Sequence, residues 1–173
     1  MTEEQATQDN SKLKLILGGS IASVLAAGVI GFLVYSSICP CDRTPGGFLF
    51  GDDSDGQVND WSFANDVELC QLQIYDGIRP HSINLNCMAT PEGEMYLSCS
   101  VCDTKYWAAR VGENERGVMR LDGVVYPVYL NRITDSATMD RAWQARVTKL
   151  QIHGGPGNPA PPTNAPRADR WWT

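Results

Sequence analysis

Hydrophobic residues along this chain follow two patterns, one unbroken and one alternating. The unbroken run extends from Leu15 to Ile38 without a charged residue. At 1.5 Å per residue, a helix of this length reaches about 36 Å, which exceeds the roughly 30 Å hydrocarbon core of a bilayer. The pattern predicts a single transmembrane helix within residues 12–38, preceded by a polar N-terminal segment at residues 1–11.

The charges that flank this run predict its orientation. Lys12 and Lys14 precede it, whereas Arg43 is the only basic residue in about the next 20 residues, so the positive-inside rule puts the N-terminus in the cytoplasm. A cleaved signal peptide is the alternative, but the first residues are acidic and polar and the run is longer than a signal-peptide core. We therefore expect an uncleaved signal anchor in a bacterial inner membrane, with the remainder periplasmic or extracellular.

Small residues recur every four positions in this run, at Gly19, Ser23, Ala27 and Gly31. This spacing produces a smooth helix face that lets another helix backbone approach closely. Gly and Ala are also common in membrane helices generally, so the stripe alone does not identify a contact. We expect the helix to contact bilayer lipid and, through this stripe, a second copy of the chain or a partner membrane subunit.

From Asp60 onwards, short runs rich in strand-forming residues predict a β domain over residues 60–152. The predicted strands are Val67–Tyr75, Ser82–Ala89, Met95–Val101, Gly117–Leu121 and Val124–Ile133. A short helix is predicted between Asp103 and Gly112, and a closing helix from Ser136 to about Gln151. The Gly/Asp-rich residues 39–59 predict a flexible linker, and residues 153–173 a Pro/Gly-rich tail.

The turn from Thr90 to Glu94 predicts the register of the first hairpin. Pro91 and Gly93 suit a type I turn with a glycine bulge, which pairs Asn86 with Ser98. Because side chains alternate along a strand, one face must be the core. That face carries Ile83, Leu85, Cys87, Ala89, Met95, Leu97, Cys99 and Val101. The opposite face carries Asn84, Asn86, Ser98, Ser100 and Cys102.

Composition narrows the classes of partner and site. The net charge is −6 and no basic stripe is present, so we expect no nucleic-acid partner. The six cysteines suggest disulfides in an oxidising compartment, although buried free thiols remain open. On the predicted register Cys87 and Cys99 are diagonal neighbours about 7 Å apart, which is marginal for a disulfide.

Cys99 and Cys102 have the two-residue gap of redox and metal sites. They are the only pair with this spacing, and a structural zinc ion would need further ligands from Cys70, Cys87 or His81. We therefore predict no metal site.

The order strand, hairpin, short helix, hairpin and closing helix resembles the split β-barrel of the pyridoxamine 5'-phosphate oxidase-like family, over about residues 60–150. The residues that carry the resemblance are Asp60-Trp61-Ser62-Phe63, Arg79-Pro80-His81-Ser82, Gly93–Leu97, Lys105-Tyr106-Trp107 and Gly123–Asp135. The resemblance implies a mainly β fold with short helices, a split barrel that here follows a transmembrane helix. It also implies a dimer that binds flavin mononucleotide (FMN), a deazaflavin or haem, although many members have lost the cofactor.

Flavin-binding relatives hold the phosphate with a Ser or Thr and a Lys at the start of the short helix, and Thr104 and Lys105 match that position. Helix-start amides beside a lysine attract anions. The resemblance therefore implies a phosphate at Thr104 and Lys105, with Arg79 at its edge, and a flavin ring against the opposite, polar face of the hairpin. The residues of that face are Asn84, Asn86, Ser98 and Ser100. These strands lack the usual additional basic residues, so FMN, a deazaflavin and no cofactor all remain open.

Two functions follow from these features. The first is a single-pass membrane protein that displays an extracytoplasmic split barrel, which as an enzyme would be an FMN- or deazaflavin-dependent oxidoreductase. No nucleophile–base constellation is visible, so the sequence identifies no catalytic residue for such an enzyme. The alternative is a non-catalytic accessory or assembly subunit of a larger membrane protein complex. The small-residue stripe and the Pro-rich tail ending in Trp171-Trp172 favour this alternative.

Overall fold

The computed structural model describes residues 3–169 together with Trp171 and Trp172. The chain divides between Ser36 and Ser37 into two compact units. The first consists of helix α1, which with its last turn extends over Glu3–Ile38. The helix begins within residues 1–11, which the sequence predicted to be a separate polar segment. The residues of this segment are compatible with a helix, and their acidic side chains favour a helix N-terminus.

Helix α1 has the length and composition of a membrane-crossing helix. Its segment Ile16–Ser36 has a mean hydropathy of 2.1, and residues 16–35 are exposed in the single chain. The hydroxyl of Ser23 donates to the carbonyl oxygen of Gly19 at 2.9 Å, so this polar group is satisfied within the helix. The prediction of one N-terminal helix long and apolar enough to cross a bilayer is confirmed.

The second unit is built on a seven-stranded mixed sheet with the order β1-β6-β5-β2-β3-β4-β7. The strands are β1 Asp52–Asp53, β2 Cys70–Asp76, β3 Arg79–Ala89, β4 Met95–Ser100, β5 Glu115–Leu121, β6 Val124–Leu130 and β7 Trp171–Trp172. All neighbours pair antiparallel except β1, which lies parallel to β6. Helix α2, Ser136–His153, follows the sheet and is capped by Asp135, whose Oδ1 accepts from the Thr138 amide at 2.8 Å.

The predicted register of the β3–β4 hairpin is confirmed. Asn86 lies opposite Ser98, and the amide of Thr90 donates to the Glu94 carbonyl at 2.9 Å. Gly93 has a φ of 83°, and a Cβ atom there would lie 2.6 Å from the carboxylate of Asp60. Glycine is therefore required at this turn for its conformation and for the close approach of Asp60.

One apolar cluster gathers side chains from five adjacent strands. Its fully buried members include Leu72 and Ile74 of β2, Cys87 of β3 and Met119 of β5. Side chains of β4 and β6 pack against the same cluster: Met95, Leu97, Tyr126, Val128 and Leu130. Because five neighbouring strands reach a single cluster with one face, the sheet must curl around it. No pairing joins β4 to β6 within residues 3–169, so the described sheet is curled and open.

Residues 39–59 are not the free linker that the sequence predicted. Gly46 and Ser82 exchange two backbone hydrogen bonds, at 2.8 and 3.1 Å, and β1 pairs with β6. Leu49 is buried, and its amide donates to Gln73 Oε1 at 2.7 Å. The prediction was wrong because backbone groups make this pairing, and a Gly/Asp-rich run has no side-chain period that would reveal it.

The C-terminal segment is also ordered against the domain. Trp171 is buried, and its ring packs edge-on against Trp143 of α2 with centroids 5.2 Å apart. The indole nitrogen of Trp143 donates to the Ala165 carbonyl at 2.7 Å, and β7 pairs with the edge of β4. The tail predicted for residues 153–173 therefore covers apolar surface.

All six cysteines are paired, as Cys39–Cys41, Cys70–Cys87 and Cys99–Cys102. The Cα–Cα distances of 4.5, 5.8 and 5.3 Å lie in the normal range. The marginal pair of Cys87 with Cys99 is not formed, because Cys87 bonds diagonally to β2 instead.

The prediction that Cys102 lies opposite Cys99 is wrong. Strand β4 ends at Ser100, and Val101 adopts a left-handed φ of 54°, which returns Cys102 to Cys99. Val101, predicted in the core, is exposed for the same reason.

A buried lysine joins α2 to the sheet. Lys149 is only 3% exposed, and its Nζ donates to the carbonyls of Ala64 at 2.7 Å and Cys87 at 2.6 Å. Burial lowers the pKa of Lys149 to about 8. The burial of Lys149 was not predicted from the sequence, because no motif includes this residue, which lies between the apolar residues Val147 and Leu150.

We expect Lys149→Met to lower the free energy of unfolding by about 1–3 kcal/mol at pH 7, because two buried carbonyls lose their donor. Chemical denaturation of the full chain in detergent, followed by near-ultraviolet circular dichroism, measures this. The control is Lys105→Met, at an exposed lysine, which should change stability by less than about 0.5 kcal/mol.

The stability gap between wild type and Lys149→Met should widen as the pH rises. The folded pKa of about 8 lies below the ordinary lysine value of 10.5. The unfolded chain therefore binds more protons between these values, and the contribution of Lys149 to the unfolding free energy rises with pH. The gap at pH 9.5 should exceed that at pH 7 by about 2 kcal/mol at most. A gap independent of pH would show that the ammonium is not desolvated.

Candidate functional site

The predicted phosphate site at Thr104 and Lys105 is not a helix start. Instead of one helix from Asp103 to Gly112, the chain forms two 3₁₀ turns, Cys102–Thr104 and Ala108–Arg110. The Thr104 hydroxyl donates to the Val101 carbonyl at 2.8 Å, and the amides of Thr104 and Lys105 donate to carbonyls within the turn. The hydroxyl and both amides are therefore used within the turn, so a phosphate group there would depend on the Lys105 ammonium.

Arg79 belongs to a separate surface cluster at the turn between β2 and β3. The Tyr106 hydroxyl donates to the Asp76 carboxylate, and Arg110 lies 3.2 Å from the same carboxylate with its guanidinium 3.4 Å from the Tyr106 ring centroid. The hydrogen bond from Tyr106, followed by the charge of Arg110, lowers the pKa of Asp76. Burial, and then the charges of Arg79 and Arg110, lower the pKa of His81. The charge of Asp76 is therefore satisfied within the cluster.

The polar face of the β3–β4 hairpin is occupied by the chain itself. The side-chain Nδ2 of Asn84 donates to the Asp42 carbonyl at 2.9 Å, and Asn86 Oδ1 accepts from the side-chain Nδ2 of Asn158 at 2.7 Å. Ser98 is buried with 1% exposure. The side chain of Ser100 lies outside the described residues. The segments before and after the sheet thus cover the surface that was expected to hold a flavin ring.

Asn158 links this face to α2. Its Oδ1 accepts from Arg146 Nη2 at 2.7 Å, while its amide donates to Asn86. The guanidinium of Arg146 lies 5.2 Å from the Trp143 ring centroid, and burial lowers the pKa of Arg146. The polar residues of the hairpin face therefore position the C-terminal segment.

An open cavity lies on the other face of the sheet, between β4 and β6. It has a volume of about 1070 Å³ and contacts Leu97 of β4, Met119 of β5 and Val128 of β6. Five aromatic residues also line it: Trp61, Tyr96, Trp107, Tyr126 and Tyr129. The Trp61 and Tyr126 rings meet edge-on with centroids 5.2 Å apart. Since β4 and β6 are not paired, the gap between them exposes the core side of the sheet.

One wall of the cavity contains Cys102, whose disulfide to Cys99 packs with Ala108 and Trp107. The sequence analysis predicted apolar side chains for this face but not the cavity. Its formation depends on how far β4 and β6 approach each other, which neither strand determines alone. All five aromatic residues of the cavity wall lie within the motifs of the resemblance, and they were the available signal.

Comparisons with known proteins supply no relative for this arrangement. A scan against protein-family models found no match, and searches of the curated proteins and of the solved structures found no significant match. The candidate site is therefore argued from its geometry alone.

We expect Trp171→Ala to destabilise the domain by about 3–5 kcal/mol, because it removes a buried ring from the cluster around Trp143. Trp171→Phe keeps a ring and removes an indole N–H that is buried without a hydrogen-bond partner in the part of the chain that the structure describes. We expect this second variant to cost less than about 1.5 kcal/mol. Thermal unfolding compares the two.

Limited proteolysis provides a second readout of the same contact. In wild type, Arg167 forms an ion pair with Asp140 at 2.7 Å. Trypsin should cleave after Arg167 faster in Trp171→Ala than in wild type, because the C-terminal segment that contains Arg167 is released from the domain. An equal loss of stability in Trp171→Phe and Trp171→Ala would contradict the proposed stabilisation by the buried ring of Trp171.

Proposed function

We propose that this chain is a single-pass membrane protein whose outer domain serves as an accessory subunit of a larger membrane protein complex. The observation that carries the proposal is the contrast between the two faces of the β3–β4 hairpin. The polar face is covered by the protein's own chain, whereas the apolar face opens into a cavity of about 1070 Å³. The cavity is mainly apolar, with Asp53, Gln57 and Arg132 also in its wall, so it fits aliphatic or aromatic side chains of a partner.

Three features support a location of the domain outside the cytoplasm. The apolar helix precedes the domain, and the lysines of its flank favour a cytoplasmic N-terminus. All six cysteines are paired, and disulfides persist in oxidising compartments such as the periplasm. We propose the bacterial inner membrane as the site of the anchor.

The curled sheet with short turns after β4 supports a split β-barrel related to the pyridoxamine 5'-phosphate oxidase-like family. In such a barrel, β4 and β6 would face each other across the cavity. A second copy of the chain, or a partner subunit, would then complete the open side. This is a proposal about the assembled state of the domain.

A flavin- or deazaflavin-binding oxidoreductase is the second candidate function. The aromatic residues of the cavity favour it, because a planar ring system can stack on rings such as those of Trp61, Trp107 and Tyr126. Lys105 and Arg79 do not belong to the cavity wall, so the predicted phosphate site would lie apart from the ring.

The two functions are separated by purifying the full chain from membranes. The accessory function predicts a colourless preparation that co-purifies with other membrane subunits and does not bind added FMN. Lys105→Ala should then change stability by less than about 0.5 kcal/mol. A yellow preparation that releases flavin on denaturation would favour the oxidoreductase. In that case, Lys105→Ala should weaken FMN binding about ten- to a hundredfold, since a charge-assisted contact is lost.

We expect replacement of Gly19, Ser23, Ala27 and Gly31 by isoleucine to weaken assembly in the membrane and leave insertion intact. A Cβ atom at Gly19 or Gly31 meets nothing within 4 Å in the single chain, so the added side chains would obstruct only a partner. Crosslinking in native membranes measures assembly. Gly18→Ile is the control, because Gly18 lies about 160° from the centre of the stripe and a Cβ atom there also meets nothing within 4 Å. Unchanged crosslinking of the quadruple variant would exclude this face as the contact.

A further inference from the structure

The Cys99–Cys102 disulfide differs from the disulfide of the core in its surroundings. Cys70 and Cys87 are 0% exposed and lie in the centre of the apolar cluster. Cys102, in contrast, forms part of the cavity wall beside Trp107 and Ala108. A ligand in the cavity would therefore contact this disulfide but not the one in the core.

The backbone around this pair would hold both sulfurs close after reduction. The left-handed Val101 and the 3₁₀ turn at Cys102–Thr104 return Cys102 to the end of β4, with a Cα–Cα distance of 5.3 Å. Cys102 Sγ lies 3.1 Å from the Cys99 carbonyl oxygen, so a thiol there would already have a hydrogen-bond acceptor. Such an arrangement lets the dithiol and disulfide forms share one backbone conformation.

We propose that Cys99 and Cys102 form a redox-active pair that exchanges thiols and disulfides with a dithiol segment of a partner protein bound in the apolar cavity. The proposal rests on the proposed function for the oxidising location of the domain. The exchange itself depends only on the cavity and the pair. It assigns a covalent role to a domain that otherwise acts by binding.

The exchange proceeds in two balanced steps. A thiolate of the partner attacks Cys102 Sγ, a bond forms between these sulfurs, and the Cys99–Cys102 bond breaks as Cys99 leaves and takes up a proton. The second partner thiol loses its proton and attacks the partner sulfur of the mixed disulfide. Cys102 leaves as a thiolate and takes up the proton that the first partner thiol had released. The partner dithiol is oxidised by two electrons to a disulfide, and Cys99 and Cys102 are reduced to thiols.

Cys102 is the sulfur that the partner attacks. Cys99 retains slightly more total exposure than Cys102, 9% against 3%. Only Cys102, however, belongs to the cavity wall in which a bound segment would lie. The backbone of Cys99 is also paired with β7 along the sheet edge, which restricts approach from that side.

The test uses the purified full chain in detergent, with reduced and oxidised glutathione at graded ratios as the probe. After an acid quench and alkylation, peptide mass spectrometry reports the state of each cysteine. We expect Cys99 and Cys102 to reach the same equilibrium from both directions in the folded protein, while Cys70–Cys87 stays closed. If Cys99–Cys102 opens only when the chain unfolds and Cys70–Cys87 opens with it, the proposal is overturned.

Two single variants test which sulfur is attacked. With oxidised glutathione, we expect Cys99→Ser to form the mixed disulfide at Cys102 at least about tenfold faster than Cys102→Ser forms it at Cys99. Equal rates, or a faster reaction at Cys99, would overturn the cavity as the route. The matched control replaces Cys39 and Cys41 by alanine, which should leave the equilibrium of Cys99–Cys102 unchanged. Since the purified chain is used without a partner, absence of co-purifying subunits would contradict the accessory function without affecting this result.

Discussion

The register of the β3–β4 hairpin is the constraint on which the rest of the domain depends. Gly93 takes a positive φ at the turn, and the pairing that follows sends Cys87 and Leu97 to one side and Asn86 to the other. A shift by one residue would bring the asparagine into the core and the cysteine out of it. The same register lets Cys87 reach β2 and form the disulfide of the core.

The two faces that this register creates are completed in different ways. Residues before the sheet and the segment around Asn158 cover the polar face, where their backbone and amide groups satisfy Asn84 and Asn86. Lys149 extends from α2 to the carbonyl of Cys87, so the covering helix is tied to the sheet by a buried charge. Trp171 then closes the surface beside Trp143.

The apolar face remains partly open because β4 and β6, at opposite sides of the five-stranded core, are not paired in the described part of the chain. The resulting cavity has aromatic residues and the largely buried Cys102 in its wall. Burying this surface would favour association with a partner, since apolar area removed from water stabilises a complex. The proposed anchoring of α1 in a membrane would add to this effect by confining the domain near other membrane proteins.

The sequence alone determined those features that depend on neighbouring residues. The apolar run predicted α1, and Pro91 with Gly93 predicted the hairpin register, because helix length and turn geometry are local properties. Tertiary structure decided the remainder. The pairing of residues 46–54 with the sheet, the burial of Trp171 and the cavity between β4 and β6 all join positions far apart in the chain. No period or motif records those contacts, because they arise from backbone hydrogen bonds and from the curvature of the whole sheet.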